Sequence, residues 1–213
     1  MAPPVTTRTL VLAAASANNI AQSQSPGAGA ITLNGTTVSG GVATLDAARR
    51  VIVTSGGNDT GITFTVNGTD RNGYTQSEAF AGASGGAATT TRDFKTVTSV
   101  THTGSIATTV TVGTSATGSS APIVLNAFAT YGSLGITAQL VSGSATFSIE
   151  ITNEDFSPDW NLLATTPTWG APAATVGTAA SNLSGLSAST TAVIYNPATM
   201  IRLTITAGTG TVK

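Results

Sequence analysis

Hydrophobic and polar positions alternate with a period of two along most of this chain. Val51 and Val53 alternate with Ile52 and Thr54, and after Ser55-Gly-Gly-Asn-Asp-Thr-Gly61 the pattern resumes with Ile62, Phe64 and Val66 against Thr63, Thr65 and Asn67. Such patterning on both sides of a Gly/Asn/Asp turn predicts a β-hairpin. Asn67-Gly68 and Asn72-Gly73 are further turn candidates, since Asn and Gly tolerate positive φ. Residues 94–101 and 106–112 predict a second hairpin joined around Gly104. Residues 134–141 and 145–152 predict a third across Ser142-Gly143-Ser144, with Phe147, Ile149 and Ile151 inward and Ser148, Glu150 and Thr152 outward. Residues 192–195 and 200–206 make the last expected pair, with Ile201, Leu203 and Ile205 on one face. Helical signal is confined to single turns at 43–50 and 159–164, because threonine, valine and glycine elsewhere oppose helix.

The pattern breaks at Gly113-Thr-Ser-Ala-Thr-Gly-Ser-Ser-Ala-Pro122, which has no periodicity and reads as a linker. A weak internal echo lies on either side. Arg50-Val-Ile-Val-Thr-Ser, a Gly-rich turn and Ile62-Thr-Phe-Thr-Val match Met200-Ile-Arg-Leu-Thr-Ile-Thr, Ala-Gly-Thr-Gly and Thr211-Val212. The expected fold is therefore all-β: two small antiparallel β-sandwich units, immunoglobulin-like or jelly-roll-like, with an extended N-terminal arm. The expected bounds are 1–25 for the arm or first strand, 26–117 for one sandwich and 118–213 for the other, with one continuous sandwich as the alternative. Arg8 to Ala17 carries a charge, a short apolar run and an Ala-Ser-Ala, as a signal peptide does. The run is at the short limit, so a first strand or arm is the expectation.

Composition narrows the function. Only 8% of the 213 residues are charged, with eight basic and nine acidic residues and a formal net charge of −1. No basic stripe exists to neutralise phosphates, so nucleic acid is not an expected partner. No apolar run approaches the roughly 20 residues a membrane-spanning helix needs, so no membrane contact is expected. Hydrophobic residues make up 40% and mean hydropathy is +0.24, enough for a packed core. The absence of cysteine removes disulfides and thiolate metal sites.

Candidate chemistry is sparse. Gly82-Ala-Ser84-Gly-Gly86 matches the G-x-S-x-G nucleophile pattern, which works only on a tight strand-to-helix turn with a histidine in reach. The single histidine, His102, sits on an expected strand, and the reading favoured here is a flexible glycine loop. Glu150, Glu154, Asp155 and Asp159 form an acidic group that with Asn153 has oxygen ligands for Ca²⁺. They could also form a glycosidase pair. Their spacing matches no calcium loop, and a chain that is 5% aromatic has little with which to line a sugar cleft. A solvated acidic loop is the plainer reading, and neither catalytic residues, a metal nor a cofactor is expected.

Phe156, Trp160 and Trp169 lie in one proline-containing stretch. They cap the second core or form an exposed anchor for a partner. Pro3, Pro4, Leu10, Val11 and Leu12 are the second set of candidate partner-binding residues. Segment 1–25 is expected to be extended and to contact another chain, and removal of residues 1–20 is expected to leave the β fold intact.

Residues 47–70, running Ala47-Ala-Arg-Arg-Val-Ile-Val-Thr-Ser-Gly-Gly-Asn-Asp-Thr-Gly-Ile-Thr-Phe-Thr-Val-Asn-Gly-Thr-Asp70, and their continuation through Phe94-Lys-Thr-Val-Thr-Ser-Val resemble small β-rich virion proteins of tailed bacteriophages. Ser144-Ala-Thr-Phe-Ser-Ile-Glu-Ile-Thr and Ile201-Arg-Leu-Thr-Ile-Thr-Ala-Gly-Thr-Gly are similar to such proteins too. The resemblance carries no catalytic signature and implies a structural virion component. The expected role is head decoration: a homo-oligomer on the outer head surface, bound to the major capsid protein or other virion proteins. A tail or head–tail connector component is the alternative within that class. A fibre or adhesin domain contacting a host glycan is the rival from another class.

Overall fold

The computed structural model describes residues 6–125, 134–152, 171, 173–176, 179–194 and 198–213. Among them every regular element is a β-strand and every pairing is antiparallel. The chain divides into two compact units, Ala13–Gly118 and Ser119–Lys213, the second completed by the N-terminal residues through Leu12.

In chain order the strands begin with β1 (Leu10–Leu12), β2 (Ser16–Gln24), β3 (Gly29–Ile31), β4 (Val38–Ser39), β5 (Val42–Ser55), β6 (Thr63–Thr69), β7 (Thr75–Ala81), β8 (Ala87–His102) and β9 (Val110–Ser119). In the first unit the spatial order is β9-β5-β8-β6-β7, with β2 beside β9, β4 beside β5 and β3 beside β8. Alternation along β5, β6 and β8 turns Val51, Val53, Phe64, Val66, Val97 and Val100 into one buried cluster with Ile20, Leu45, Phe94, Val110 and Val112. β-Branched and aromatic residues suit this half-buried pleated surface.

Two expected hairpins are corrected by this order. β8 lies between β5 and β6, so 51–54 and 62–66 are not partners, and β5 lies between β8 and β9, so 94–101 and 106–112 are not partners either. The intervening loops carry the chain past one strand instead of folding it back. They are tied at the sheet end by backbone bonds from Gly56 to Thr109 and from Gly85 to Gly57. Residues 43–50 are not helical but lie inside β5. The expected helical signal there is a register shift, with Thr44 opposite Thr96 and Arg49 opposite Phe94. The expected linker is strand through Ser119, with Thr114 buried.

β6 and β7 are a true hairpin in uninterrupted register from Thr63 opposite Ala81 to Thr69 opposite Thr75. Asn67-Gly68 lies inside β6 and is not a turn; it stands opposite a bulge at Thr98 of β8. Asn72-Gly73 does turn: Gly73 takes φ of +87°, and Asp70 Oδ1 accepts the N–H groups of Asn72 and Tyr74 at 2.8 and 2.9 Å.

The second unit adds β10 (Ile123–Val124), β11 (Leu134–Ala138), β12 (Leu140–Gly143), β13 (Thr146–Thr152), β14 (Ala173–Val176), β15 (Ala179–Asn182), β16 (Thr190–Ile194), β17 (Met200–Ala207) and β18 (Gly210–Val212). Strand β18 runs between β1 and β12, β17 between β10 and β13, and β11-β16-β14-β15 form a sheet of their own. The expected pairing of 134–141 with 145–152 is thereby overturned, since β11, β12 and β13 each find a different partner. So is that of 192–195 with 200–206. Phe147 and Ile149 are buried as expected, but so are Ser148 and Thr152, because both faces of β13 are covered. The single helical turn expected at 159–164 lies outside the described residues.

Candidate functional site

The described carboxylates are engaged by the chain's own backbone amides, arginines and hydroxyls. Of the nine acidic residues, Glu154, Asp155 and Asp159 lie outside the described residues, and each of the others has an internal partner. Glu78 accepts from Thr91 N–H at 2.7 Å and Arg92 N–H at 2.9 Å, covering amides where β8 has parted from β6. Asp93 lies between Arg50 and Arg71 at 3.9 and 3.6 Å. Glu150 Oε2 accepts from Arg202 Nε at 2.7 Å and Thr204 Oγ1 at 2.9 Å. Asp70 holds the β6–β7 turn. Lys95 Nζ donates to the Leu45 carbonyl at 2.6 Å.

Asp46 and Arg49 join a buried cation to a partly exposed carboxylate. Arg49 is 1% exposed. Its Nη1 donates to both Asp46 oxygens at 3.0 and 3.1 Å, and its Nε and Nη2 donate to the Ser115 carbonyl. Asp46 also accepts Ala13 N–H at 2.7 Å. Burial alone would push the Asp46 carboxyl up. The bond from Ala13 and the Arg49 guanidinium outweigh it and hold the carboxyl below its ordinary value.

The G-x-S-x-G segment is the β7–β8 connection. A strand follows it, not a helix, and Ser84 is exposed opposite Asn58 in an isolated bridge. Gly82 is there for packing: a Cβ would stand 2.5 Å from the Asp59 carbonyl and 2.7 Å from the Phe64 ring. The pattern therefore lacks the sharp strand-to-helix turn that exposes a nucleophile.

His102 is buried beside Phe64, with ring centroids 5.9 Å apart, and its Nδ1 donates to the Gly104 carbonyl at 2.7 Å. Asp59 is fully buried at the same end of the unit and accepts Ala107 N–H at 2.9 Å through Oδ1. Asp59 Oδ2, Ser55 Oγ and His102 Nε2 are buried without a hydrogen-bond partner. Sequence reasoning missed Asp59, reading Asn58-Asp59 only as turn residues. A carboxylate amid Ser55-Gly-Gly-Asn-Asp-Thr-Gly61 is the one signal that was available. Among the described residues no three of His, Cys, Asp and Glu gather to hold a metal.

Leu10 and Leu12 are 3% and 2% exposed and pack within their own unit, whereas Val11 is 56% exposed. Of these three residues, Val11 alone points outward. Segment 1–25 is divided: β1 pairs with β18 and β2 with β9. Ile20 is fully buried, so losing residues 1–20 would strip apolar groups from both units, contrary to the expectation of an intact fold. Pro3, Pro4, Phe156, Trp160 and Trp169 lie outside the described residues. Among the described residues, Tyr74, Val124 and Val141 are the other large apolar side chains that stand exposed.

The outer face of the first unit's sheet is a grid of small side chains. Successive rows across β7, β6 and β8 read Ala79-Thr65-Thr101, Ser77-Asn67-Ser99 and Thr75-Thr69-Thr96. Its hydroxyls and amides bond to one another across strands: Thr69 Oγ1 to Thr96 Oγ1 at 2.7 Å and Asn67 Nδ2 to Ser99 Oγ at 3.0 Å. Polar groups paired in this way lose less on being covered than free ones would.

No protein-family model matches the chain, and neither a curated protein nor a solved structure matches it.

Proposed function

We propose that this chain is a structural protein of a tailed-phage particle, a capsid decoration protein that ties neighbouring head subunits together. One observation carries the reading. The described carboxylates are all engaged within the chain, and the outer face of the β7-β6-β8 sheet is a neutral grid of hydroxyl, amide and methyl groups, with Val11, Tyr74, Val124 and Val141 exposed elsewhere among the described residues. Such a surface suits repeated, close, uncharged contact and offers little for proton transfer. The sequence resemblance to β-rich virion proteins supports the same reading. A protein that binds only the assembled shell stabilises it by mass action, and small gains per contact add over symmetry-related sites.

The test is a particle made without this protein. Heads should form but fail at lower temperature than complete ones, and the protein should stay attached through a high-salt wash. Charge-driven contacts, by contrast, are screened within roughly 8–10 Å at physiological ionic strength. Heads of undiminished stability that lack a functional tail would favour a tail or connector role instead.

A second reading, binding of a host glycan by a fibre or adhesin domain, draws support from Tyr74. Its ring stands exposed beside a turn clamped by Asp70, and an exposed aromatic is a common anchor. Loss of cell-surface adsorption in Tyr74→Ala with the head unaffected would favour it.

A further inference from the structure

Natural sheets guard their outermost strands with lysine, proline, bulges or very short length. Strand β7 has no lysine, proline or bulge and is not short. It runs seven residues, Thr75-Gln-Ser-Glu-Ala-Phe-Ala81, in unbroken register on β6, and no described strand pairs with its other edge. Its single charge, Glu78, is turned inward onto the amides of Thr91 and Arg92.

The ladder fixes which groups are free. Gly82 N–H bonds to the Ile62 carbonyl and Asp70 N–H to the Tyr74 carbonyl, so the even-numbered residues of β7 are the ones bonded to β6. In an antiparallel pair, bonded positions alternate. The N–H and C=O groups of Thr75, Ser77, Ala79 and Ala81 therefore point away from β6.

We propose that β7 is a self-association edge, on which two copies of this chain pair antiparallel about a two-fold axis at Glu78. The free residues are symmetric about that position. Thr75 then faces Ala81 of the second copy and Ser77 faces Ala79, each pair exchanging two backbone hydrogen bonds, so every free group on both edges is used. The outer-face side chains at the seam are threonine, serine and alanine, which clash with nothing and continue the neutral grid across the axis. The one like-charge pair is Glu78 with its mate, and each carboxylate is already held by its own strand β8. The inference concerns the isolated chain and stands apart from the capsid role: a dimer could form in a protein with no place on a phage head, and the reverse.

Sedimentation equilibrium of the full chain from micromolar to millimolar concentration should show a monomer–dimer equilibrium. Ala79→Pro removes an outward N–H and leaves the bonds to β6 in place. It should raise the dissociation constant at least about tenfold, with far-UV circular dichroism and Tm unchanged. Register is read with cysteines, of which the chain has none of its own. A mixture of Ser77→Cys and Ala79→Cys proteins should form a 77–79 disulfide on oxidation, because a bonded pair sets Cα atoms about 5.5 Å apart. Either variant alone should cross-link poorly. A chain that stays monomeric throughout, or a dimer that survives Ala79→Pro without giving the mixed disulfide, overturns the proposal. If Ala79→Pro does not fold, the disulfide alone decides.

Discussion

Asp46 and Arg49, three residues apart on β5, close a ring that also takes in Ala13 and Ser115. Nη1 of Arg49 is 3.0 Å from Oδ1 of Asp46, Ala13 N–H donates to Oδ2 at 2.7 Å, and the remaining guanidinium donors meet the Ser115 carbonyl. The start and the end of the 13–118 unit are thus tied to its central strand at the register shift, where residues 45–48 depart from the ladder.

Asp46→Asn should destabilise the protein by about 1–3 kcal/mol, because a buried guanidinium is left with a carbonyl as its main partner. Partial exposure of Asp46 keeps this below the cost of breaking a fully buried pair. Adding Arg49→Met should recover part of the loss, and a double-mutant cycle in denaturant should give a coupling of about 0.5–3 kcal/mol. Additive effects would mean that the two side chains act separately.

The same node gives the stability a pH dependence of known sign. The folded Asp46 carboxyl lies below its ordinary value of 3.8, so the native state keeps this charge where the unfolded chain has already taken up a proton. Its contribution is complete above the ordinary value and is lost as pH falls through the folded one. The stability gap between wild type and Asp46→Asn should stay constant from neutral pH to about pH 5 and narrow below that. Urea midpoints measured across the range check it, and a gap that widens in acid would reverse the assignment.

The Gly82-to-Gly86 segment invites a direct comparison. Gly82→Ala should cost about 1–3 kcal/mol, since its methyl group would collide with the Asp59 carbonyl and the Phe64 ring. Ser84→Ala should change stability by no more than about 0.5 kcal/mol, as expected of an exposed residue. Thermal unfolding of the two variants separates packing from chemistry: a nucleophile would be needed for turnover and the glycine would not.

The period-two pattern made the strands legible but not their partners. Alternation at Val51-Ile-Val and at Ile62-Thr-Phe-Thr-Val says which side chains are buried. Nothing in it tells whether the chain folds straight back or passes over a third strand, and here it passes over β8. The turn candidate Asn72-Gly73 did form a turn, because Asp70 caps it locally, although the hairpin that it closes was not among the expected pairs. At 43–50, alanine and arginine suggested a helical turn, and cross-strand bonding to β8 overrode that propensity. Asp59 went unnoticed because its burial depends on loops at 82–86 and 103–109, far away in sequence.

The N-terminal strand supplies the last prediction. Leu10 lies opposite Val212 and Leu12 opposite Gly210, with both leucines buried in the 119–213 unit, while the next residue, Ala13, serves the other unit through Asp46. Removing residues 1–12 should therefore act unevenly. It uncovers Val212, leaves one edge of β18 unpaired and deletes two buried leucines, each worth about 2–5 kcal/mol when cut to alanine. Amide hydrogen exchange should speed up strongly along β18 and β12, whereas β6 and β8 should keep their protection, since none of their bonds is touched. Leu10→Ala with Leu12→Ala should give the same pattern more mildly in a chain of full length. Unchanged exchange at Thr211 and Val212 after the deletion would show that β1 adds nothing to the second unit, and segment 1–12 would again be free to serve a partner.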